Sequence, residues 1–181
     1  VARLAARGVN KIIVLSHLGY PADLSLAASV AGIDIIVGGH SHSLLGDETN
    51  LDLIGLTPAG PYPTELQDPE GNRVLVLQAW QWGHILGRLN VRFSPAGEIL
   101  SSEARIILPV GDTFVQNNTP VAPESQTYQD ILAALAASGT AAIYAEDAYA
   151  AALLAPYAEQ VAQYRSVKVA EALEPILRGG Q

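Results

Sequence analysis

The 181-residue sequence predicts an α/β fold, with a parallel strand, helix, strand unit followed by an antiparallel meander and a helical C-terminal tail. Three observations support this prediction. Two short β-branched runs flank a helical stretch within the first forty residues. Three further strand-like runs, separated by turn residues, follow after residue 68. Residues 128–177 are rich in alanine and carry apolar residues at helical spacing.

The first forty residues are typical of a parallel βαβ unit. Residues 11–15 (KIIVL) and 33–37 (IDIIV) are predicted as buried strands, and residues 24–31 as the helix between them. Asp23 precedes this helix, where a carboxylate accepts hydrogen bonds from free backbone donors. A short helix over residues 2–7 is expected before the first strand.

Turn residues divide the rest of the chain. Residues 43–67 are predicted as a long surface excursion because they contain many Gly, Pro, Thr and Asn residues. The predicted meander has strands at 73–79, 87–93 and 99–108. Two or three helices are expected in the alanine-rich region. We therefore divide the chain into residues 1–115, which carry the chemistry, and residues 116–181, a linker and helical tail.

Composition excludes several classes of protein. A net charge of -8 argues against binding to a nucleic acid polymer, which needs clustered Lys and Arg. No apolar run approaches the ~20 residues that a membrane span requires. Because the sequence has no cysteine, any metal site must use His, Asp, Glu, Asn or Gln. The chain has no methionine and opens as the end of a helix, so we expect it to be an interior piece of a longer protein.

Three histidines are the candidate metal ligands. His17 follows the first predicted strand, and His40 and His42 follow the second, after Gly38 and Gly39. Because ligands bind at the carboxyl ends of parallel strands, these side chains are expected on one rim. Glycines suit a backbone that turns sharply beside a ligand, and residues two apart in extended backbone point the same way.

Other residues have simpler explanations. A lone histidine after a strand is often only a hydrogen-bonded structural residue, and an H-x-H pair also arises by chance. His84 has no partner histidine or carboxylate nearby in sequence, so we expect a structural or exposed role for it. Trp80 and Trp82 could stack on a base or sugar, but we favour packing against a sheet.

Three segments occur in an order that closely resembles a known family. They are VLSHLGY (14–20), GIDIIVGGHSHSLL (32–45) and VLVLQAWQWGHILGRLNVRF (74–93). Together they resemble the calcineurin-like metallophosphoesterases, and within them the secreted or periplasmic 5'-nucleotidases, over residues 1–108. The resemblance implies half of a four-layer α/β/β/α metallophosphoesterase sandwich.

The resemblance also implies a site with two divalent metal ions. His17 and His40 would ligate the second ion, and His42 would reach the first. The ions could be Zn, Mn, Co or Fe, since such sites accept each of them. The implied activity is that of a hydrolase in nucleotide catabolism, which acts on a small phosphorylated substrate, a nucleoside 5'-monophosphate or related nucleotide. A periplasmic or secreted location is implied in the same way.

The sequence departs from the family in what it lacks. The family's earlier motifs, a D-x-H, then a G-D that supplies the bridging aspartate, then a G-N-H-[DE] that supplies a catalytic histidine, do not occur in that order in this sequence, and its nucleoside-binding C-terminal domain is also absent. We expect the missing N-terminal half of the same protein to carry those motifs. The isolated chain is therefore predicted to hydrolyse phosphate esters poorly or not at all. One alternative is a non-catalytic module that binds a nucleotide, sugar or protein partner. Another is a member of the same superfamily with a different substrate: a cyclic nucleotide, a UDP-sugar or a sulfur-oxidation intermediate.

Overall fold

The computed structural model describes residues 1–167, in which residues 1–144 form one compact unit and a second unit begins at residue 145. The helices are α1 (Ala2–Ala5), α2 (Tyr20–Ser29), α3 (Glu48–Asp52), α4 (Gln126–Ser138) and α5 (Ala148–Ser166). The strands are β1 (Ile13–Leu15), β2 (Ile35–Gly38), β3 (Thr64–Gln67), β4 (Arg73–Gln78), β5 (Leu86–Phe93), β6 (Ile99–Val110), β7 (Val115–Gln116), β8 (Thr119–Pro120) and β9 (Ala141–Ile143).

The first sheet positions the site. Its strand order is β1-β2-β4-β3, in which β1, β2 and β4 are parallel and β3 is antiparallel to β4. The β-branched runs of β1 and β2 pair directly, and α2 connects them. The predicted parallel βαβ unit is therefore confirmed, and the three parallel strands end at the same edge of the sheet.

The second sheet consists of a long hairpin and one short strand. Strands β5 and β6 pair antiparallel around the turn at residues 94–98, and β9 pairs parallel with the end of β6. Strands β7 and β8 form a separate two-stranded hairpin.

The core lies on both faces of the first sheet. On one face, Tyr20 and Ala27 of α2 pack with Ile36 and Val76. On the other, Leu75 and Leu77 pack with side chains of β5 and β6. The order of layers is thus helix, sheet, sheet, as the predicted fold class requires.

Some elements differ from the prediction. The strand at residues 73–78, predicted to open the meander, instead pairs parallel with β2, because its five consecutive buried residues fit the centre of a sheet. The excursion at 43–67 contains α3 and edge strand β3. Helix α2 begins at Tyr20, which places Asp23 inside its first turn. The compact first unit extends to residue 144, because β9 pairs with β6.

The second unit is described through α5. Asp147 caps it, accepting a hydrogen bond from the backbone N–H of Ala150, and Pro156 lies inside it. The predicted alanine-rich helices extend past residue 167, and that part lies outside the described residues. Among residues 1–167, no helix combines the length and apolarity that crossing a membrane requires.

Candidate metal centre

Side chains suited to binding gather at the carboxyl edge of β1, β2 and β4. His17 comes two residues after the end of β1, and His40 and His42 follow β2. Gln78, the last residue of β4, lies beside Gly38 in the parallel register. The three parallel strands therefore end at one edge, where these polar residues lie.

The His17 and His40 rings lie together. Their centroids are 5.1 Å apart and the rings meet edge to face at 68°. Two imidazole nitrogens on one tetrahedral ion are about 3.4 Å apart, since each bond is about 2.0–2.1 Å long. The ring separation fits such a pair, so these two residues could share one divalent ion.

The two glycines provide room for this pair. A Cβ at Gly39 would lie 3.0 Å from His17 Nδ1, and a Cβ at Gly38 would overlap a carboxylate oxygen of Asp23. The left-handed backbone expected at glycine occurs instead at His40 (φ 73°) and His42 (φ 51°). Non-glycine residues in this region cost about 1–3 kcal/mol each and cluster at functional sites.

His42 occupies a different position. Because its backbone and that of His40 are left-handed, the argument from extended backbone does not apply to this pair. Its ring packs edge to face against Trp82, with centroids 4.9 Å apart. Among residues 1–167, no three His, Cys, Asp or Glu side chains are grouped closely enough to hold a metal ion. The structure thus brings two of the three predicted ligands together, and metal ligation remains a prediction for all three.

Gln78 holds the loop that carries His40 and His42. Its side chain is 2% exposed. Its Nε2 donates to the carbonyl of Gly39 at 3.0 Å, and its Oε1 accepts from the Ser43 backbone N–H and the Ser41 hydroxyl. The Ser41 hydroxyl also accepts from the Tyr20 backbone N–H at 2.9 Å, which links the loop to the start of α2.

Sequence reasoning missed two residues of this site. Gln78 could have been found as the polar residue that ends an apolar strand. Asp23 was interpreted as a helix cap, but its side chain accepts a hydrogen bond from the Ser16 hydroxyl and is completely buried. Its partner is on another element, and no local pattern reveals that contact.

The remaining aromatic and histidine candidates lie on the loop after β4. Trp80 packs against the hydrophobic cluster around Leu44 and Ile106, whereas Trp82 is 77% exposed. His84 is exposed, and its ring contacts that of Trp80 at a centroid distance of 5.2 Å.

The carboxyl groups with shifted pKa values lie at the opposite end of the strands of the first sheet, away from the carboxyl edge. Burial raises the pKa of Asp34, against the effect of a hydrogen bond from the Ile12 backbone N–H and of the Lys11 charge. Burial acts in the same direction on Asp68, but hydrogen bonds from Gly32, Asn72 and Glu70 outweigh it and hold the pKa of Asp68 below its usual value. Asp34 precedes β2 and Asp68 lies in the turn between β3 and β4, where each accepts backbone hydrogen bonds, so their role is structural.

The donor set fits divalent metal ions. Imidazole nitrogens suit ions such as Zn and Fe, and the space at Gly39 lets the two imidazoles approach each other. A pair of imidazoles alone leaves a tetrahedral ion without its other ligands. A catalytic centre therefore needs further donors besides this pair.

Comparison with known proteins points to one group. A probable 5'-nucleotidase of Treponema pallidum is 47% identical over 96 residues, which are 53% of this chain and 16% of that protein. A snake venom 5'-nucleotidase of Macrovipera lebetinus is 39% identical over 108 residues, 59% of this chain and 26% of that protein. No protein-family model matches the chain.

The fold comparison agrees. The crystal structure of the 5'-nucleotidase precursor of Thermus thermophilus is similar with a TM-score of 0.66 and 40% identity, covering 94% of this chain and 27% of that one. The chain thus spans about a sixth to a quarter of each of the two curated relatives. The resemblance to 5'-nucleotidases and the metallophosphoesterase fold that it implied are confirmed.

Proposed function

We propose that this chain is part of a two-metal phosphoesterase acting on nucleoside 5'-monophosphates or related nucleotides. Support comes from its homology to 5'-nucleotidases and from the fold that it shares with them. The observation that carries the proposal is the His17 and His40 pair, 5.1 Å apart at the carboxyl edge of the parallel strands. A phosphoesterase with this fold would hold an ion with imidazoles at this edge.

Each histidine has a role in this proposal. His17 and His40 would hold one ion through their imidazoles, and His42 would reach the other. When bound, the ions would polarise a phosphoryl oxygen and lower the pKa of water toward neutrality. Gln78 and the Ser41 hydroxyl keep the loop of His40 and His42 in place, so that the imidazoles do not have to reorganise during the reaction.

The chain supplies only part of each metal site in this proposal. No third His, Cys, Asp or Glu joins the histidine pair within residues 1–167, and two ions ~3.5–4 Å apart require a bridging ligand. Edge strand β1 leaves Ile13 and Leu15 57% and 83% exposed, as expected if another segment covers it. The remaining donors would come from the missing N-terminal half of a longer protein, and the 181-residue chain alone would be inactive.

The proposed protein works outside the cytoplasm, in the periplasm or as a secreted protein. Support comes from the similarity to a snake venom 5'-nucleotidase, because venom is a secretion. The proposed substrate is a small nucleotide, and the net charge of -8 argues against a nucleic acid polymer as partner.

The experiment measures AMP hydrolysis by the longer protein, with His17→Ala and His40→Ala as test variants. We expect kcat/KM to fall at least about 100-fold in either, because each removes a metal ligand. His84→Ala is the matched control, since His84 is exposed and lies off the histidine pair. It should retain activity within about twofold.

Three outcomes would contradict the proposal. Equal activity in His17→Ala, His40→Ala and the control would show that the pair does not bind a metal ion needed for activity. Binding of AMP without turnover by the wild-type protein would favour a non-catalytic nucleotide-binding module. Rapid AMP hydrolysis by the purified 181-residue chain would show that the chain needs no other segment.

A further inference from the structure

Asp23 is a buried carboxyl residue of α2 that contacts Ser16 and Gly38, next to the turns that carry His17 and His40. Its side chain is 0% exposed, and its Oδ1 accepts a hydrogen bond from the Ser16 hydroxyl. Its Oδ2 is buried and has no hydrogen-bond partner within residues 1–167. Buried carboxylates without full pairing are costly, and each requires an explanation.

The Ser16 hydroxyl links Asp23 to the turn of His17. Ser16 directly precedes His17, and its Oγ also accepts from the Leu18 backbone N–H at 3.2 Å. The Ser16 hydroxyl therefore accepts from the backbone just after His17 while it donates to Asp23. Without the Asp23 carboxylate, the turn that carries His17 would lose this hydrogen bond to α2.

The other oxygen of Asp23 lies against the turn of His40. A Cβ at Gly38 would overlap Asp23 Oδ2, so the carboxylate occupies the space that a side chain would fill. Gly38 is separated from His40 by a single residue. One carboxyl group thus touches the chain just before both histidines.

We propose that Asp23 is a positioning residue that sets the separation of the His17 and His40 rings for binding one metal ion. This inference rests on the proposed function, because it requires the pair to bind an ion. Metal–nitrogen distances tolerate a deviation of only about 0.2 Å. A small shift of either turn would therefore weaken binding.

The test measures the affinity of the longer protein for Zn²⁺ by competition with a chromophoric chelator, alongside the temperature of unfolding. Asp23→Ala should raise the Kd of the ion held by the pair about 10–100-fold, the usual effect of losing an outer-shell partner. Asp23→Asn should recover most of the affinity, since its side-chain oxygen can still accept from Ser16. Recovery by the conservative variant distinguishes positioning from the carboxylate charge.

Asp68→Ala is the matched control. Asp68 is also buried, but it lies at the opposite edge of the same sheet and accepts from the backbone N–H groups of Gly32, Glu70 and Asn72. Asp68→Ala should lower the temperature of unfolding and leave the Zn²⁺ affinity unchanged within about twofold. A role in folding alone would make Asp23→Ala behave like this control.

Ser16→Ala keeps the test decisive if Asp23→Ala does not fold. It removes the same hydrogen bond with a smaller change in volume, and we expect the Kd to rise severalfold. An unchanged Kd in Ser16→Ala, or in a folded Asp23→Ala, would overturn the inference. A wild-type protein that binds no Zn²⁺, Mn²⁺ or Co²⁺ would instead overturn the proposed function, which separates the two failures.

Discussion

His17 and His40 meet because each follows a strand of one parallel pair, and adjacent parallel strands end side by side. Their position was therefore predictable from strand order. The contacts of Asp23 and Gln78 were not, because they join residues 7 to 39 positions apart in sequence. The left-handed backbone at His40 and His42 was not predictable either, because glycine is the residue that usually adopts it and the neighbouring residues are glycines.

Asp68→Asn tests the structural carboxylates at the other edge of the sheet. Because its pKa is lowered in the folded state, ionised Asp68 stabilises the fold above pH 3.8, and this contribution is lost as pH falls through the folded pKa. We expect Asp68→Asn to reduce the free energy of unfolding by about 1–3 kcal/mol at about pH 7. Urea unfolding from neutral to strongly acidic pH should show the gap to wild type narrowing below pH 3.8.

Asp34→Asn is the matched comparison with the opposite sign. Burial raises the pKa of Asp34, so wild type gains stability as pH falls through that raised pKa. The stability of Asp34→Asn relative to wild type should therefore be highest at neutral pH and fall on acidification. A parallel pH dependence in the two variants would contradict these assignments.

At the scale of elements, strands with a strong apolar run were predictable from the sequence, and short strands without one were not. The strand-like runs of β1, β2, β4, β5 and β6 were all found from their composition. Strands β3 and β9 were missed, because TELQ is mostly polar and the alanine-rich β9 has helical composition. Their strand state comes from pairing with β4 and β6, which no local pattern shows. Strand β4 was assigned to the meander for the same reason, because its parallel pairing with β2 does not show in its own residues.

Leu75→Ala tests the central strand. Leu75 is 0% exposed and packs in the cluster between the two sheets. Its replacement should lower the free energy of unfolding by about 2–5 kcal/mol, because loss of a buried leucine leaves a cavity. Leu86→Ala on β5 is the control, since Leu86 is 63% exposed, and it should cost less than about 0.5 kcal/mol. Equal losses in urea unfolding would show that the sheets do not pack as described.

At the scale of the whole molecule, the fold class and the family resemblance followed from three segments within residues 14–93. The complete centre could not be predicted in the same way, because its other ligands are proposed to lie in another segment. Within residues 1–167 no third His, Cys, Asp or Glu joins the histidine pair. The proposed activity therefore depends on whether the longer protein completes the two-metal centre.

The most direct measurement is metal reconstitution of the longer protein after removal of its ions with a chelator, following phosphate release from AMP. Two bound ions are needed for the proposed chemistry, so activity should be lost on chelation and return fully only near two equivalents of Mn²⁺ or Zn²⁺ per chain. Full activity in the metal-free protein, or no phosphate release at any metal concentration, would contradict the account.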